Sequence, residues 1–280
     1  MITNANADSE NTGLDTVHAG ASDTAAAHGT GTARAIDPGQ LMEALEGVDG
    51  WFSREQVARV ARHAANTPAG GCIVEIGSFR GRSTIAMARS APGTVSIYAI
   101  DPHAGNDRGP QEIEGFETAA AQDHKTFQAN LARSKVADRV TYVRKFSHEA
   151  HGDVPDRIDV LHIDGAHRFG PACSDIRGWG DRVVPGGVML IHDAFSSVGV
   201  TLAIMSSLLL DRHWRYVGRS RSLAEYARQD MGGMTRIVNA ARQLAQLPWF
   251  GRNIAIKALM VLRLNRVTRL LGHDSQTWPY

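Results

Sequence analysis

The chain has 280 residues, of which 43% are hydrophobic and 21% charged, close to the average of folded proteins. Lysine and arginine (30) nearly balance aspartate and glutamate (29), so no overall field draws nucleic acid, and nucleic acid is not expected as a partner. Cys72 and Cys173 lack the spacing of a disulfide framework or a zinc site. Without a signal-peptide pattern or an apolar run of about 18 residues, the chain is expected to be cytoplasmic.

Residues 1–36 consist mainly of small and polar amino acids and contain few large apolar side chains. Because they cannot bury enough surface to offset the entropy of ordering, we predict a disordered leader. From Pro38 onwards apolar residues recur at helical spacings, and Ser53 is followed three residues later by Gln56, the pattern of a capping box. Two helices are therefore expected before the first strand.

From residue 72 to residue 210, strand patterns alternate with helix patterns, which predicts a parallel sheet with helices on both faces. Two further runs, 214–219 and 222–226, are separated by little more than a turn and predict an antiparallel hairpin. The predicted fold is α/β: a doubly wound, mostly parallel, seven-stranded Rossmann-like sheet that ends in this hairpin and carries helical N- and C-terminal additions. The expected parallel strands are 72–76, 95–101, 140–144, 158–164 and 187–193, and the expected helices between and after them are 83–89, 118–133, 169–183 and 198–210.

Residues 74–84 have the pattern of a buried strand, a glycine turn and the start of a helix. Gly77 and Gly81 are spaced Gly-x-x-x-Gly, which differs from the Gly-x-Gly-x-x-Gly of pyrophosphate sites and favours a ligand without phosphates. Asp101 ends the next strand, where a carboxylate can accept hydrogen bonds from both ribose hydroxyls of an adenosine. Glu75 could bind an amino group directly or through water. Together these residues predict an S-adenosylmethionine site.

Four segments, residues 74–84, 100–103, 163–167 and 185–193, resemble the class I S-adenosylmethionine-dependent methyltransferases. The resemblance covers about residues 50–227. It lies within the branch of catechol O-methyltransferase-like enzymes and of macrolide- and cephalosporin-pathway sugar and small-molecule O-methyltransferases. It implies a methyltransferase domain over 37–228 whose cofactor-binding residues are Glu75, Gly77, Ser78, Gly81, Ser83, Asp101, His103, Ser147 and Asp164.

Specific roles within that set follow from the same resemblance. Ser78 and Ser83 would hold the methionine carboxylate, and Ser147 would lie near the adenine. Phe146 or Phe79 would pack on the adenine ring. The polar loop over 103–116 is predicted to be a lid that excludes water and shapes the acceptor pocket.

Two predicted strand ends carry groups suited to methyl transfer onto a hydroxyl. Asp164 and His167 follow one strand, and the resemblance assigns His167 as the general base and Asp164 as a second catalytic residue; the alternative is that His167 only caps a helix. The other strand end gives His192 and Asp193. The resemblance implies a divalent cation, Mg²⁺ or another, on Asp164 and Asp193, but His192 stands where a second carboxylate is expected, so metal binding through these three residues stays open.

Residues 229–280 are predicted to form a basic amphipathic tail of two helices broken at Pro248. Such a tail could lie on the anionic inner surface of a membrane, pack on the core or form a contact between copies of the chain.

The expected function is O-methylation of a hydroxyl on a sugar, free or glycolipid-linked, or on another small-molecule metabolite. The alternatives are a nucleotide- or NAD-binding oxidoreductase, which the glycine spacing and the hairpin disfavour, and a non-catalytic scaffold that keeps the cofactor fold.

Overall fold

The computed structural model of the chain describes residues 37–105 and 116–273; the predicted leader and most of the predicted lid loop lie outside them. Within the described residues seven strands form one sheet. They are β1 (Cys72–Ile76), β2 (Ser96–Ile100), β3 (Val140–Val143), β4 (Ile158–Ile163), β5 (Val183–Ile191), β6 (Trp214–Ser220) and β7 (Leu223–Arg228).

The strand order is β3-β2-β1-β4-β5-β7-β6. The first five strands are parallel, and β7 runs antiparallel to both β5 and β6. The chain reverses its direction of winding between β1 and β4, which is where ligands bind in open α/β sheets. This arrangement confirms the predicted fold class, including the terminal hairpin.

Helices cover both faces of the sheet. Val60, Ile85 and Phe127, from three different helices, belong to the apolar core on one face, whereas Trp179 and Ile204 belong to the core on the other. The helices are α1 (Pro38–Ala44), α2 (Arg54–Ala65), α3 (Arg82–Ser90), α4 (Phe116–Arg133), α5 (Phe169–Gly180), α6 (Val198–Leu208), α7 (Gly233–Leu244), α8 (Leu247–Val261) and the short α9 (Asn265–Thr268).

The start of α2 has the predicted capping box: Gln56 N donates to Ser53 Oγ, and Ser53 N donates to Gln56 Oε1. β5 begins at residue 183, four residues before its predicted start. The extra length contains Pro185 and a left-handed Gly186, and the β4–β5 register shifts there, a bulge that tolerates both residues.

Two C-terminal helices are present, as predicted, and the break between them lies at residues 245–246, just before Pro248. Pro248 lies in the first turn of α8, where proline has no hydrogen bond to lose, so it starts a helix. Across residues 37–105 and 116–273, every helix is too short or too polar to cross a membrane.

The turn after β1 lies against the backbone that follows β4. Gly77 has φ +85°, and a Cβ there would lie 2.3 Å from the Asp164 carbonyl oxygen and 2.8 Å from Gly165 Cα. Gly77 N donates to Ile100 O and Asp164 N donates to Ile76 O, both at 2.8 Å. These hydrogen bonds hold the carboxyl ends of β1, β2 and β4 side by side.

We therefore expect Gly77→Ala to lower the free energy of unfolding by more than about 2 kcal/mol. An alanine is strained at this positive φ, and its Cβ would clash with the backbone after β4. Urea denaturation measures the change. Gly93→Ala is the matched control, since a Cβ at this exposed loop glycine meets nothing within 4 Å. Equal stabilities of the two variants would contradict the packing described here.

Candidate active site

A cleft of about 820 Å³ opens at the carboxyl ends of β1, β2 and β4. One wall comes from residues 49–52, just before α2, where Trp51 stacks on Phe79 with ring centroids 5.2 Å apart. No prediction from the sequence included this wall, although two adjacent aromatic residues before a helix cap could have indicated it. The predicted site residues that line the cleft are Gly77, Ser78, Ser83, Asp101, His103, Ser147, Asp164 and His167.

Asp101 organises the glycine turn. Its Oδ2 accepts hydrogen bonds from the backbone N–H groups of Ser78 and Phe79, both at 2.9 Å, and its Oδ1 accepts one from His103 N at 2.7 Å. The carboxylate therefore fixes the backbone beside the cleft. Its predicted contact with a ribose remains a prediction.

Gly81 and His103 also help to fix the same turn. Gly81 has φ +89°, and a Cβ there would lie 3.2 Å from the Phe127 ring. His103 Nε2 donates to Phe79 O at 2.7 Å, and its Nδ1 lies 2.6 Å from the Tyr142 hydroxyl. Both residues therefore hold the shape of the turn, and Gly81 does not itself line the cleft.

Glu75 lies beneath the cleft and is fully buried. Its Oε1 accepts a hydrogen bond from Ser83 Oγ at 2.5 Å, its Oε2 accepts one from Thr84 Oγ1, and His162 Nδ1 lies 3.1 Å from Oε1. This placement favours an indirect role, in which Glu75 orients Ser83 on the cleft wall. Ser78 Oγ is buried at the cleft and has no hydrogen-bond partner among the described residues, so it is available to a bound carboxylate.

The predicted adenine end contains a carboxyl group that the sequence analysis missed. Asp175, on α5, lines the cleft, is 4% exposed and accepts a hydrogen bond from Ser147 Oγ at 2.5 Å. Burial raises the pKa of Asp175 to about 6, and the bond from Ser147 only partly offsets this rise. A single acidic residue in a helix pattern carries no sign that it faces a cleft.

Two histidines and two carboxylates meet at the predicted reactive end. His167 Nε2 contacts Asp193 Oδ2, and His192 Nδ1 lies 3.1 Å from Asp164 Oδ1 and 3.7 Å from Asp193 Oδ2. Burial by itself would lower the pKa of His192, but the charges of Asp164 and Asp193 outweigh it and raise that pKa to about 10. The two histidines in turn hold the pKa of Asp193 well below its usual range, against the effect of burial.

His192 is buried and is not among the residues that line the cleft. It stacks on Phe52, with ring centroids 4.9 Å apart, and its Nε2 lies 3.3 Å from Gln56 Nε2. In the described part of the chain, ligand atoms of Asp164, His167 and Asp193 lie within 4.8 Å of one another and could share a metal ion. His167 thus joins the two predicted carboxylates as a candidate ligand, and metal binding through His192 remains a prediction.

The sheet order and the cleft at its switch point define a Rossmann-like α/β protein of the methyltransferase type. Residues 74–194, which include the glycine turn, Asp101 and Asp193, match the family model described as a methyltransferase domain. The chain therefore carries a class I S-adenosylmethionine-dependent methyltransferase domain, as its motifs predict.

Two solved structures share this fold at low sequence identity. The O-methyltransferase NovP is 16% identical over 63% of this chain and 81% of its own, with a TM-score of 0.51. Cofactor-bound Rv0187 from MTB is 16% identical over 71% of this chain and 94% of its own, with a TM-score of 0.50. At these identities the likeness establishes the fold.

Asp175 should make stability depend on pH. Because the pKa of Asp175 is raised in the folded protein, its carboxyl group makes its full contribution to stability below the ordinary pKa of 3.8. That contribution is lost as the pH rises through about 6. Asp175→Asn stays neutral, so we expect it to exceed the wild type in unfolding free energy by roughly 2–3 kcal/mol at pH 7.5 and by almost nothing at pH 4.

Urea denaturation at the two pH values tests this expectation. Asp138→Asn, at an exposed position, is the control and should show no comparable pH-dependent gain. A gain for Asp175→Asn that is equal at both pH values would show that the carboxyl group does not titrate as described.

Proposed function

We propose that this methyltransferase transfers a methyl group to a hydroxyl oxygen of a small molecule, of which a sugar is the leading candidate. The observation that carries the proposal is the contact between His167 and the buried Asp193 at the edge of the cofactor cleft, next to Asp164. A hydroxyl must lose its proton as its oxygen is methylated, and a histidine held by a carboxylate can take that proton near neutral pH. The name of one protein with this fold, the O-methyltransferase NovP, agrees with oxygen as the acceptor atom.

The residues of the cleft fit the proposed cofactor. Ser78, with its unpartnered buried hydroxyl, and Ser83, oriented by Glu75, would bind the methionine carboxylate. Asp101 would accept hydrogen bonds from the ribose, and Ser147 would lie near the adenine. When bound, S-adenosylmethionine supplies a methyl group carried on a positively charged sulfur.

His167 acts as the general base in this proposal. Because Nε2 is engaged with Asp193 Oδ2, Nδ1 is the nitrogen that receives the proton. Asp193 fixes the orientation of the ring and stabilises the imidazolium that forms, as a carboxylate does behind a catalytic histidine. Asp164, on the cleft, contributes negative charge beside the base and is itself balanced by His192.

The same groups offer a second way to activate a hydroxyl. Ligand atoms of Asp164, His167 and Asp193 are close enough to bind one divalent cation, which would hold the acceptor oxygen and lower its pKa. A set of two carboxylates and one imidazole is chemically suited to Mn²⁺, Fe²⁺ or Zn²⁺ and less so to Mg²⁺. A ring nitrogen that binds the cation has no lone pair for a proton, so His167 could combine both roles only by using Nε2 for the cation and Nδ1 for the proton.

The proposal is tested by transfer of a labelled methyl group from S-adenosylmethionine into a fractionated extract, separated into aqueous and lipid phases. We expect His167→Ala to reduce transfer about 10²–10⁴-fold, as removal of a general base does. Affinity for S-adenosylhomocysteine, measured by calorimetry, should change little, since no cofactor role is assigned to His167.

His213→Ala is the matched control, because His213 also pairs with an aspartate but lies at the start of β6, outside the cleft residues. Full activity of His167→Ala would remove the proposed base. Binding of NAD without binding of S-adenosylhomocysteine would favour the oxidoreductase alternative.

Exhaustive chelation distinguishes the two roles of His167. If His167 is the base, activity should persist in the chelated wild type and remain low in chelated His167→Ala. Loss of wild-type activity on chelation, with recovery on addition of Mn²⁺ or Mg²⁺, would show that a cation activates the hydroxyl and would contradict activation by His167 alone.

A further inference from the structure

Helix α7 presents its apolar side to solvent. Met234, Ile237, Val238 and Leu244 follow helical spacing along one side, and all are exposed, Met234 to 74%. The buried positions of the same helix are occupied by Asn239, Ala240 and Gln243. This is the reverse of a normal surface helix, whose apolar stripe faces the core.

Hydrogen bonds explain why the helix is held in this orientation. Asn239 Oδ1 accepts from Tyr216 N at 2.8 Å, and Asn239 Nδ2 donates to Trp214 O at 3.0 Å. Gln243 Oε1 accepts from the Tyr226 hydroxyl at 3.2 Å. The polar side of α7 is therefore fixed to the terminal hairpin, and the outward position of the apolar stripe is built into the fold.

A second group of exposed apolar side chains follows at the end of α8 and beyond it. Leu270 is the most exposed, at 85%. We call the exposed apolar residues of α7, of α8 and of the segment after it the tail surface, formed by Met234, Ile237, Val238, Leu244, Leu247, Val261, Leu262, Leu264, Val267 and Leu270. Such a concentration of exposed apolar side chains in one segment is typical of an interaction site.

The segment that carries the tail surface contains charges of a single sign. Between Asp230 and Asp274 the chain contains seven arginines and lysines and no acidic residue. The side chains of Arg242, Arg263 and Arg269 are exposed. Because the whole chain carries a net charge of only +1, the rest of the molecule is negative and the positive charge is concentrated in this segment.

We propose that the tail surface binds an anionic lipid membrane. In this arrangement α7 lies parallel to the membrane at the level of the headgroups, and its apolar stripe faces the acyl chains. An anionic membrane offers negatively charged headgroups to the arginines and lysines and an apolar acyl region to the exposed apolar side chains. A second copy of the chain would bring two strongly positive segments together. Residues 1–36 contain too few large apolar side chains to cover the surface.

The test is co-sedimentation of the full chain with vesicles of phosphatidylcholine alone or with added phosphatidylglycerol. We expect binding only to the vesicles that contain phosphatidylglycerol, and weaker binding at high salt. Met234→Glu/Ile237→Glu should weaken it about tenfold or more, because the apolar contact is lost and negative charge is added. Arg242→Glu/Arg263→Glu should weaken it while leaving the apolar stripe intact.

Leu202→Glu is the matched control, since Leu202 is an exposed apolar residue of α6 outside the tail surface, and its binding should stay within about twofold of the wild type. Melting temperatures show whether each variant is folded, and Met234→Ser/Ile237→Ser replaces the first variant if it is not.

The proposal would be overturned if the wild-type protein did not bind anionic vesicles, or if the folded variants bound them as well as the wild type. A wild-type dimer that the apolar variant dissociates, without vesicle binding, would assign the surface to a second copy. None of these readouts depends on methyl transfer.

Discussion

The cleft exists because the backbone after β1 lies directly against the backbone after β4, and this approach requires a residue without a side chain at position 77. A Cβ would lie 2.3 Å from the Asp164 carbonyl oxygen. The same approach brings Asp164 next to the glycine turn, so the predicted cofactor-binding residues and the predicted catalytic residues share one cleft. Asp101 completes the arrangement by binding the backbone N–H groups of Ser78 and Phe79.

Burial and neighbouring charges perturb the ionisable groups of the site in different ways. Burial raises the pKa of Asp175 to about 6, whereas the two carboxylates that face the buried His192 raise its pKa to about 10. Such perturbed pKa values are typical of functional sites. The pairing of His167 with Asp193 belongs to the same network, which is why the proposed base cannot be considered apart from His192.

The C-terminal helices connect the tail surface with the reactive end. Asn253 Nδ2, on α8, donates to Phe195 O at 3.3 Å, and Lys257 Nζ donates to Ser196 O at 2.8 Å. Both carbonyls lie two or three residues after Asp193. Helix α8 therefore packs on the rest of the chain and supports the loop that follows Asp193.

The sequence by itself determined the fold class, the cofactor turn and the two strand ends that carry the chemistry. Strand and helix periodicities, the Gly77–Gly81 spacing and the Ser53–Gln56 cap are local, and each is written in consecutive residues. Tertiary structure decided which side chains meet. It set His167 rather than His192 on the cleft, placed Glu75 beneath it, brought Asp175 to it and turned the apolar side of α7 outward. These outcomes depend on how separate elements pack. A sequence pattern does not specify the distance in space between residues that are remote along the chain.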